Sequence, residues 1–292
     1  MEMREMTLYN GKALKYNPFI RNPEREGKEV ILMKKMITLL LAVLMLCSCL
    51  AACGTDKEAS DLAYIQEKGK LIVGITDYAP MDYKDENGEW TGFDAELSRL
   101  FAEELGVDCE FFVLADWGKK FYELETKNID VIWNGMTITD EVKLNTNCSD
   151  PYVVNAQVLV MKADVVSNYP DSNALNGLSF AVENGSAGQA ALDALGIQDY
   201  VVMQDQAAAL MEVAAGTSDA CVIDITMAYA MTGEGTNYAD LGIGFSLTSE
   251  EYGVGFRKDS DVTAKFNEFM DKLLSDGTLD ALAEKYSLTL VK

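Results

Sequence analysis

The side chains able to carry out chemistry in this sequence are mainly carboxylates, because histidine is absent. Histidine is the most frequent general base and metal ligand in proteins. A Ser-His-Asp or Cys-His arrangement is therefore excluded, and the usual histidine-containing zinc ligand sets are missing. The net charge of −23 argues against a nucleic-acid partner, since phosphate backbones require a surface rich in Lys and Arg.

The six cysteines fall into two groups of three. Cys109, Cys148 and Cys221 lie far apart in the sequence and lack CxxC spacing, so they predict neither a disulfide framework nor a metal site. We expect them to be small buried thiols. The other group, which ends with Cys53, lies in the N-terminal leader.

The leader, residues 33–52, has the pattern of a lipoprotein signal peptide. Met33-Lys34-Lys35 is basic, and the apolar run that follows is shorter than the ~20 residues of a membrane-spanning helix. Leu50-Ala51-Ala52-Cys53 resembles the bacterial lipobox, whose cysteine is acylated. We expect Cys53 to carry the lipid, such as palmitate; a signal anchor with an incidental cysteine is the alternative.

Two neighbouring segments follow from that prediction. A signal peptide begins near its own basic residues, so we expect residues 1–32 to be a misassigned or disordered extension. Residues 53–60 predict a lipidated tether.

Strands and helices alternate through the rest of the chain. Lys70–Ile75 and Ile129–Trp133 are apolar runs typical of buried strands, and Phe93–Leu105 has the spacing of a helix that ends before Gly106. A second set of strands and helices follows between residues 157 and 257. The order predicts an α/β fold of two units with mostly parallel sheets.

Six segments of the sequence match a known family in order. They are LIVGITDYAPMDYKDENGEWTGFDAEL (71–97), NIDVIWNGMTIT (128–139), SDPY (149–152), VENGSAG (182–188), GTSDACVID (216–224) and YGVGFRKDS (252–260). Together they resemble the amino-acid-binding family of bacterial solute-binding proteins, often called family 3. The resemblance implies a two-lobed, periplasmic-binding-protein-like (type II) fold with a two-strand hinge. Lobe 1 is expected at 61–157 plus 253–292, and lobe 2 at 158–252.

The same resemblance implies the function. The chain is expected to capture a small polar molecule, an amino acid or a related amine, for an ABC permease and its ATPase subunit. We expect an extracytoplasmic monomer that is anchored to the bacterial membrane, has no cofactor and is not an enzyme. The alternatives are a ligand-sensing module for a membrane receptor and a dehydratase-like enzyme on the same scaffold, in which Glu183 would be the acid or base.

The resemblance also implies binding residues. The loop Asn134-Gly135-Met136-Thr137 and, from lobe 2, Ser186 and Ala187 correspond to groups that bind the ligand's α-carboxylate. Asp224 corresponds to the carboxylate that binds the α-ammonium group, although it could instead cap a helix. Trp117 and Tyr78 correspond to aromatic residues that enclose the ligand side chain, although both could be core residues.

Two acidic positions and one basic position bear on specificity. Asp77 could contact the ligand or cap a turn, and Glu183 could face the ligand or lie on the surface. The family's carboxylate-binding arginine is replaced by Val142, next to Lys143, which could substitute only as a point charge. The candidate site then holds three carboxylates against at most one ammonium group, which favours a positively charged ligand.

Overall fold

The computed structural model describes residues 60–292. The predicted extension 1–32, the signal peptide 33–52, Cys53 and all of the tether except Ser60 lie outside the described residues. Within residues 60–292, no helix is both long and apolar enough to cross a membrane.

Thirteen strands and nine helices lie between residues 60 and 292. The strands are β1 (Lys70–Ile75), β2 (Tyr83–Lys84), β3 (Trp90–Thr91), β4 (Asp108–Val113), β5 (Val131–Thr137), β6 (Asn147–Cys148), β7 (Val153–Asn155), β8 (Gln157–Lys162), β9 (Phe180–Glu183), β10 (Tyr200–Met203), β11 (Ala220–Asp224), β12 (Leu241–Ser246) and β13 (Glu250–Phe256). The helices are α1 (Asp61–Lys68), α2 (Phe93–Leu105), α3 (Lys120–Glu125), α4 (Asp140–Asn145), α5 (Ala187–Ala194), α6 (Gln206–Ala215), α7 (Ile225–Met231), α8 (Val262–Ser275) and α9 (Thr278–Lys285). A 3₁₀ turn, Trp117–Lys119, leads into α3, and two further 3₁₀ turns, Val166–Asn168 and Ser172–Leu175, lie between β8 and β9.

The first sheet has the strand order β4-β1-β5-β13-β6, and β7 pairs with the far part of β13. β1 is parallel to β4 and β5, whereas β13 is antiparallel to β5. All seven residues of β5 are buried, as expected for a central strand with both faces covered.

The helix predicted over Phe93–Leu105 is confirmed with the same bounds. Its apolar face is buried, and Gly106 ends it with a φ of 74°, a left-handed conformation that glycine adopts without strain. Phe101 of α2 lies 5.3 Å, centroid to centroid, from Phe266 of α8, which in turn lies 4.9 Å from Trp133 of β5. These aromatic contacts fix α2 and α8 against the strand that leads into the candidate site.

The strand predicted over Ile129–Trp133 is observed as β5 with other bounds: it begins at Val131 and continues past Trp133 to Thr137. The added residues pair with β13, where Met136 lies opposite Gly253 and Thr137 opposite Tyr252. The partner strand lies more than a hundred residues away in the sequence, so local patterning could not reveal this extension.

The second sheet has the order β10-β9-β11-β8-β12. β9 is parallel to β10 and β11, and β8 is antiparallel to β11 and β12. Every strand of the first sheet lies within 70–155 or 250–256, and every strand of the second within 157–246. The two sheets define lobe 1 and lobe 2, and the chain crosses between them twice, from β7 to β8 and from β12 to β13. The predicted lobe limits at 157 and 253 fall at the start of β8 and inside β13.

A candidate ligand-binding cleft between the lobes

A cavity of about 260 Å³ lies between the lobes and is lined by both. It is bordered by eleven of the twelve side chains that the sequence assigned to ligand binding: Asp77, Tyr78, Trp117, Asn134, Gly135, Met136, Thr137, Glu183, Ser186, Ala187 and Asp224. A volume of this size is suited to a small molecule such as a single amino acid.

Lys143 is the predicted residue that the structure does not bring to the cavity. Its side chain is exposed on the outer side of α4, and Lys258 donates a hydrogen bond to its backbone carbonyl at 2.6 Å. The preceding Val142 is buried and borders the cavity. Adjacent residues of a helix lie about 100° apart, so the two side chains cannot both point inward.

The hydrogen-bonding groups of the Asn134 side chain all have partners inside lobe 1. Its Oδ1 accepts from the backbone N–H of Thr76 at 3.0 Å and from the Thr76 hydroxyl at 2.6 Å. Its Nδ2 donates to the Thr76 carbonyl at 3.2 Å and to Asp82 at 2.7 Å. An amide side chain makes about four hydrogen bonds, so this one holds β1 against β5 and has no capacity left for a ligand.

Gly135 is positioned by a buried carboxylate. Its backbone N–H donates to Asp94 Oδ2 at 2.7 Å, and Asp94 also accepts from the Tyr152 hydroxyl. The φ of Gly135 is +55°, and an added Cβ would lie 2.6 Å from Cε1 of Tyr78. Only glycine allows the backbone to pass this close to the aromatic ring.

Asp224, at the end of β11, accepts three amide hydrogen bonds. Asn155 and Gln157 (2.8 Å) donate to Oδ1, and Gln206 donates to Oδ2. Asp224 precedes α7 but makes no side-chain capping bond to it, so the helix-cap interpretation is wrong. Burial, together with the nearby Glu250 carboxylate, raises the pKa of Asp224 to about 6. At pH 7 the group is therefore mostly ionised, with about one acceptor position unused.

Glu183, at the end of β9, is buried, with 4% of its surface exposed. The alternative that it lies on the surface is wrong. Its Oε1 atom is buried and has no hydrogen-bond partner among residues 60–292. Burial first, and then the negative charge of Asp224, raise the pKa of Glu183 well above its usual range.

Lys120 is a lining residue that the sequence reasoning missed. Its Nζ donates to the carbonyl of Gly185 at 2.9 Å and lies 4.9 Å from the ring centroid of Trp117. Burial lowers the pKa of Lys120 to about 8, against the opposing effect of Glu183. The adjacent lysines Lys119 and Lys120, close to Trp117, could have indicated a basic group in the cavity. Only the turn Trp117–Lys119 decides which of the two lysines points inward.

The N-terminus of α5 faces the cavity from lobe 2. Ser186 caps this helix by accepting from the backbone N–H of Gln189 at 3.1 Å, and Ala187 is its first residue. A helix N-terminus presents free N–H groups and favours anions. On the lobe 1 side, the Thr137 hydroxyl donates to Glu250 at 3.0 Å.

Three hydroxyl groups, two from lobe 1 and one from lobe 2, join the lobes at the base of the cleft. Tyr78 of lobe 1 is hydrogen-bonded to Thr226 of α7 at 2.6 Å and to Tyr252 of β13, and Thr226 lies 3.0 Å from Tyr252. Both Tyr78 and Trp117 are buried and border the cavity, so they are core residues whose surfaces also face the ligand space.

The lobes also touch at the mouth of the cleft. Asn184 donates to Asp116 at 2.9 Å, and an added Cβ on Gly185 would lie 2.7 Å from the Cα of Gly118. Two glycine backbones from opposite lobes therefore meet directly beside the Lys120 hydrogen bond, which closes the cavity at this side.

Neither a metal-binding cluster nor a disulfide is found among the described residues. Residues 60–292 contain no group of three or more Cys, Asp or Glu that could hold a metal ion. Cys109, Cys148 and Cys221 are free thiols; the expected burial is confirmed for Cys221, whereas Cys109 and Cys148 are only half-buried.

Comparisons with known proteins agree with this geometry. The profile of the bacterial extracellular solute-binding proteins, family 3, matches residues 71–289. The arginine-binding extracellular protein ArtP of Bacillus subtilis is 30% identical, over 87% of this chain and 98% of its own.

Two solved structures are similar over most of both chains. A mutant of ArgBP from T. maritima has a TM-score of 0.72 at 33% identity, over 77% of this chain and 98% of its own. The ancestral amino acid-binding protein AncCDT-1, described as a precursor of cyclohexadienyl dehydratase, has a TM-score of 0.71 at 32% identity, over 78% of this chain and 99% of its own. The predicted two-lobed type II fold is thereby confirmed.

Proposed function

The chain belongs to the bacterial extracellular solute-binding proteins, family 3, and on this basis we propose that it is the substrate-binding component of an ABC-type amino-acid importer. It closes on an amino acid or a related amine in the cleft between the lobes and delivers it to a permease and its ATPase subunit. The observation that carries this proposal is the interlobe cavity, which combines a buried carboxylate, a helix N-terminus and aromatic surfaces in a volume suited to one amino acid.

The polar groups of the cavity match the two ends of an amino acid. Asp224 has an unused acceptor position and takes the α-ammonium group. Ser186 and the free N–H groups of Ala187 and the next residue take the α-carboxylate from lobe 2, with the Met136 and Thr137 backbone on the other side, because the Thr137 hydroxyl already donates to Glu250.

The remaining lining residues serve the ligand side chain or its support. Tyr78 and Trp117 enclose the side chain, and Asp77 lies at the partly exposed edge of the cavity. Asn134 and Gly135 shape the strand beneath the ligand through their bonds within lobe 1. Val142 gives the α-carboxylate no charged partner, so that end of the ligand relies on N–H and hydroxyl donors.

A thermal-shift screen tests the proposal. The purified protein is denatured and refolded to remove bound ligand, and is then mixed with each standard amino acid, with diamines and with small peptides. A ligand at ~100 times its Kd stabilises the folded state by about 2.7 kcal/mol, which is readily measured. A shift with one class of amino acid supports the proposal, whereas no shift with any amino acid or amine overturns it.

We further propose that Cys53 is lipidated and that the chain reaches the outer side of the membrane as a lipoprotein, in line with the leader pattern of residues 33–52. Labelled palmitate should enter the protein and leave Cys53→Ser unlabelled. Cys49→Ser is the matched control, because it removes a neighbouring thiol and keeps the lipobox. Equal labelling of both variants would contradict the assignment.

Turnover of the ligand is the second function considered, because AncCDT-1 is described as a precursor of a dehydratase and Glu183 is a buried carboxyl group in the cavity. We propose that the protein binds without turnover, in keeping with its family. Mass spectrometry of the ligand released after prolonged incubation checks this, and recovery of a dehydrated product would refute it.

A further inference from the structure

Glu183 is buried and has an oxygen without a hydrogen-bond partner, and the fold does not require a carboxylate at this position. It borders the cavity from the last position of β9, and its Oε1 is buried without a partner in the described region. Leaving a buried polar atom unpaired is unfavourable, and more so for a charged group. An apolar side chain would avoid this cost at the same position.

The groups that face Glu183 do not neutralise it. Its charged neighbours are Asp224 at the end of β11, Asp205 before α6 and Lys120 of α3. Lys120 is the one cation among them, and its Nζ already donates a hydrogen bond to the Gly185 carbonyl. The two carboxylates make the surroundings of Glu183 net negative.

The lining of the cavity as a whole also has more negative than positive side chains. Within the described region, the cavity is bordered by five carboxylate side chains and one ammonium group: Asp77, Asp140, Glu141, Glu183, Asp224 and Lys120. Buried carboxylates require cationic partners or hydrogen-bond donors to remain ionised. Asp224 has three amide donors, whereas Glu183 Oε1 has none, so Glu183 is the group that still needs a partner.

We propose that the Glu183 carboxylate receives a second cationic group of the ligand, an ammonium or guanidinium on its side chain, in addition to the amino group at Asp224. This inference rests on the proposed function and names the ligand class as a basic amino acid. The decarboxylated diamine of the same length offers the same cation, so the test must separate the two sources.

A proton accompanies this recognition. Burial and the neighbouring carboxylates favour the protonated form of Glu183 in the empty cavity, and an arriving cation favours the carboxylate. The ligand's ammonium or guanidinium is already charged, so the proton on Glu183 leaves to solvent as the ion pair forms. Binding should therefore release up to about one proton per ligand near pH 7.

Isothermal titration calorimetry with matched ligands tests the proposal. Arginine and citrulline have nearly the same shape but differ in the charge of the side chain, as do lysine and norleucine. We expect at least one of the charged ligands to bind at least ~30-fold more tightly than its neutral counterpart, as for a buried charge that gains or loses its partner. Apparent enthalpies that differ between phosphate and Tris buffers would report the released proton.

Two variants with the same chemical change assign the effect to one side chain. Glu183→Gln should reduce the affinity advantage of the charged ligand over its neutral counterpart to below ~5-fold, and it should abolish the proton release. Glu86→Gln removes an exposed carboxylate that does not border the cavity and should keep both. Agmatine and cadaverine, which lack the α-carboxylate, should bind more weakly than arginine and lysine.

Each outcome decides a separate question. If neutral amino acids bind the wild type as tightly as charged ones, this inference fails and the proposed function stands. An equal loss of arginine and citrulline binding in Glu183→Gln would also overturn it. If the diamines bind and the amino acids do not, the second cation site is supported and the amino-acid assignment fails. If neither class binds, both proposals fall. The wild-type ratio and proton count keep the test decisive even if Glu183→Gln does not fold.

Discussion

The contact between Gly185 and Gly118 predicts that Gly185→Ala impairs closure of the cleft. The added Cβ would lie 2.7 Å from the Cα of Gly118 and 3.3 Å from its backbone nitrogen. Carbon atoms pack at about 3.5–4.0 Å, so the lobes would have to separate by roughly 1 Å at this point. Both contacting atoms belong to the backbone, so no side chain can move aside.

The size of the effect follows from the cost of overpacking. Such a clash costs about 1–3 kcal/mol, which corresponds to a roughly 5- to 150-fold increase in Kd if it falls on the closed state alone. Gly185 also has a φ of +67°, which adds about 1–2 kcal/mol of backbone strain for alanine in both the open and the closed state.

Gly216→Ala is a control that separates the backbone strain of alanine at a positive φ from the clash with the opposite lobe. Gly216 has a similar φ of +76°, and its added Cβ would meet nothing within 4 Å. Both variants should lower the free energy of unfolding of the ligand-free protein by similar amounts in urea titrations. Only Gly185→Ala should raise the Kd measured by calorimetry with the ligand found in the thermal-shift screen. Equal Kd values for the two variants would refute the idea that this glycine contact belongs to the binding-competent closed state.

Three further predictions concern single side chains. The raised pKa of Asp224, about 6, means that this carboxyl contributes stability below its ordinary pKa near 4 and loses it as the pH rises through 6. We measure the free energy of unfolding of Asp224→Asn and of the wild type in urea titrations without ligand. The variant's value minus the wild-type value should rise by up to about 3 kcal/mol from pH 4 to pH 7, and parallel pH profiles would contradict this. Asn134→Ala removes four hydrogen bonds, three to Thr76 and one to Asp82, and should lower the free energy of unfolding by about 2–4 kcal/mol, measured in the same way. Lys143→Ala removes an exposed charge outside the cavity and should change the Kd by no more than about twofold; a larger loss would show that Lys143 reaches the ligand.

Residues whose role depends on local patterning were predictable from the sequence. The bounds of α2 followed from apolar spacing and a terminal glycine. The family resemblance then placed eleven of the twelve expected binding residues around one cavity.

Residues whose role depends on remote partners were not predictable. The extension of β5 to Thr137 requires pairing with β13, and the inward direction of Lys120 rather than Lys119 requires the turn before α3. Asn134 looked like a ligand-binding residue, but Thr76 and Asp82 satisfy its entire amide group.

The sequence by itself determined the chemical character of this protein: no histidine, a large excess of carboxylates, alternating strands and helices, and a lipobox-like leader. Composition and periodicity are local properties, so they can be recognised in the sequence without knowing which atoms come into contact in the fold. Only the tertiary structure decided which carboxylates are buried together, which of them still lacks a partner, and where the lobes touch. Those properties arise from atoms that are distant in sequence and adjacent in space, and they set the pKa of Asp224 and the unpaired oxygen of Glu183.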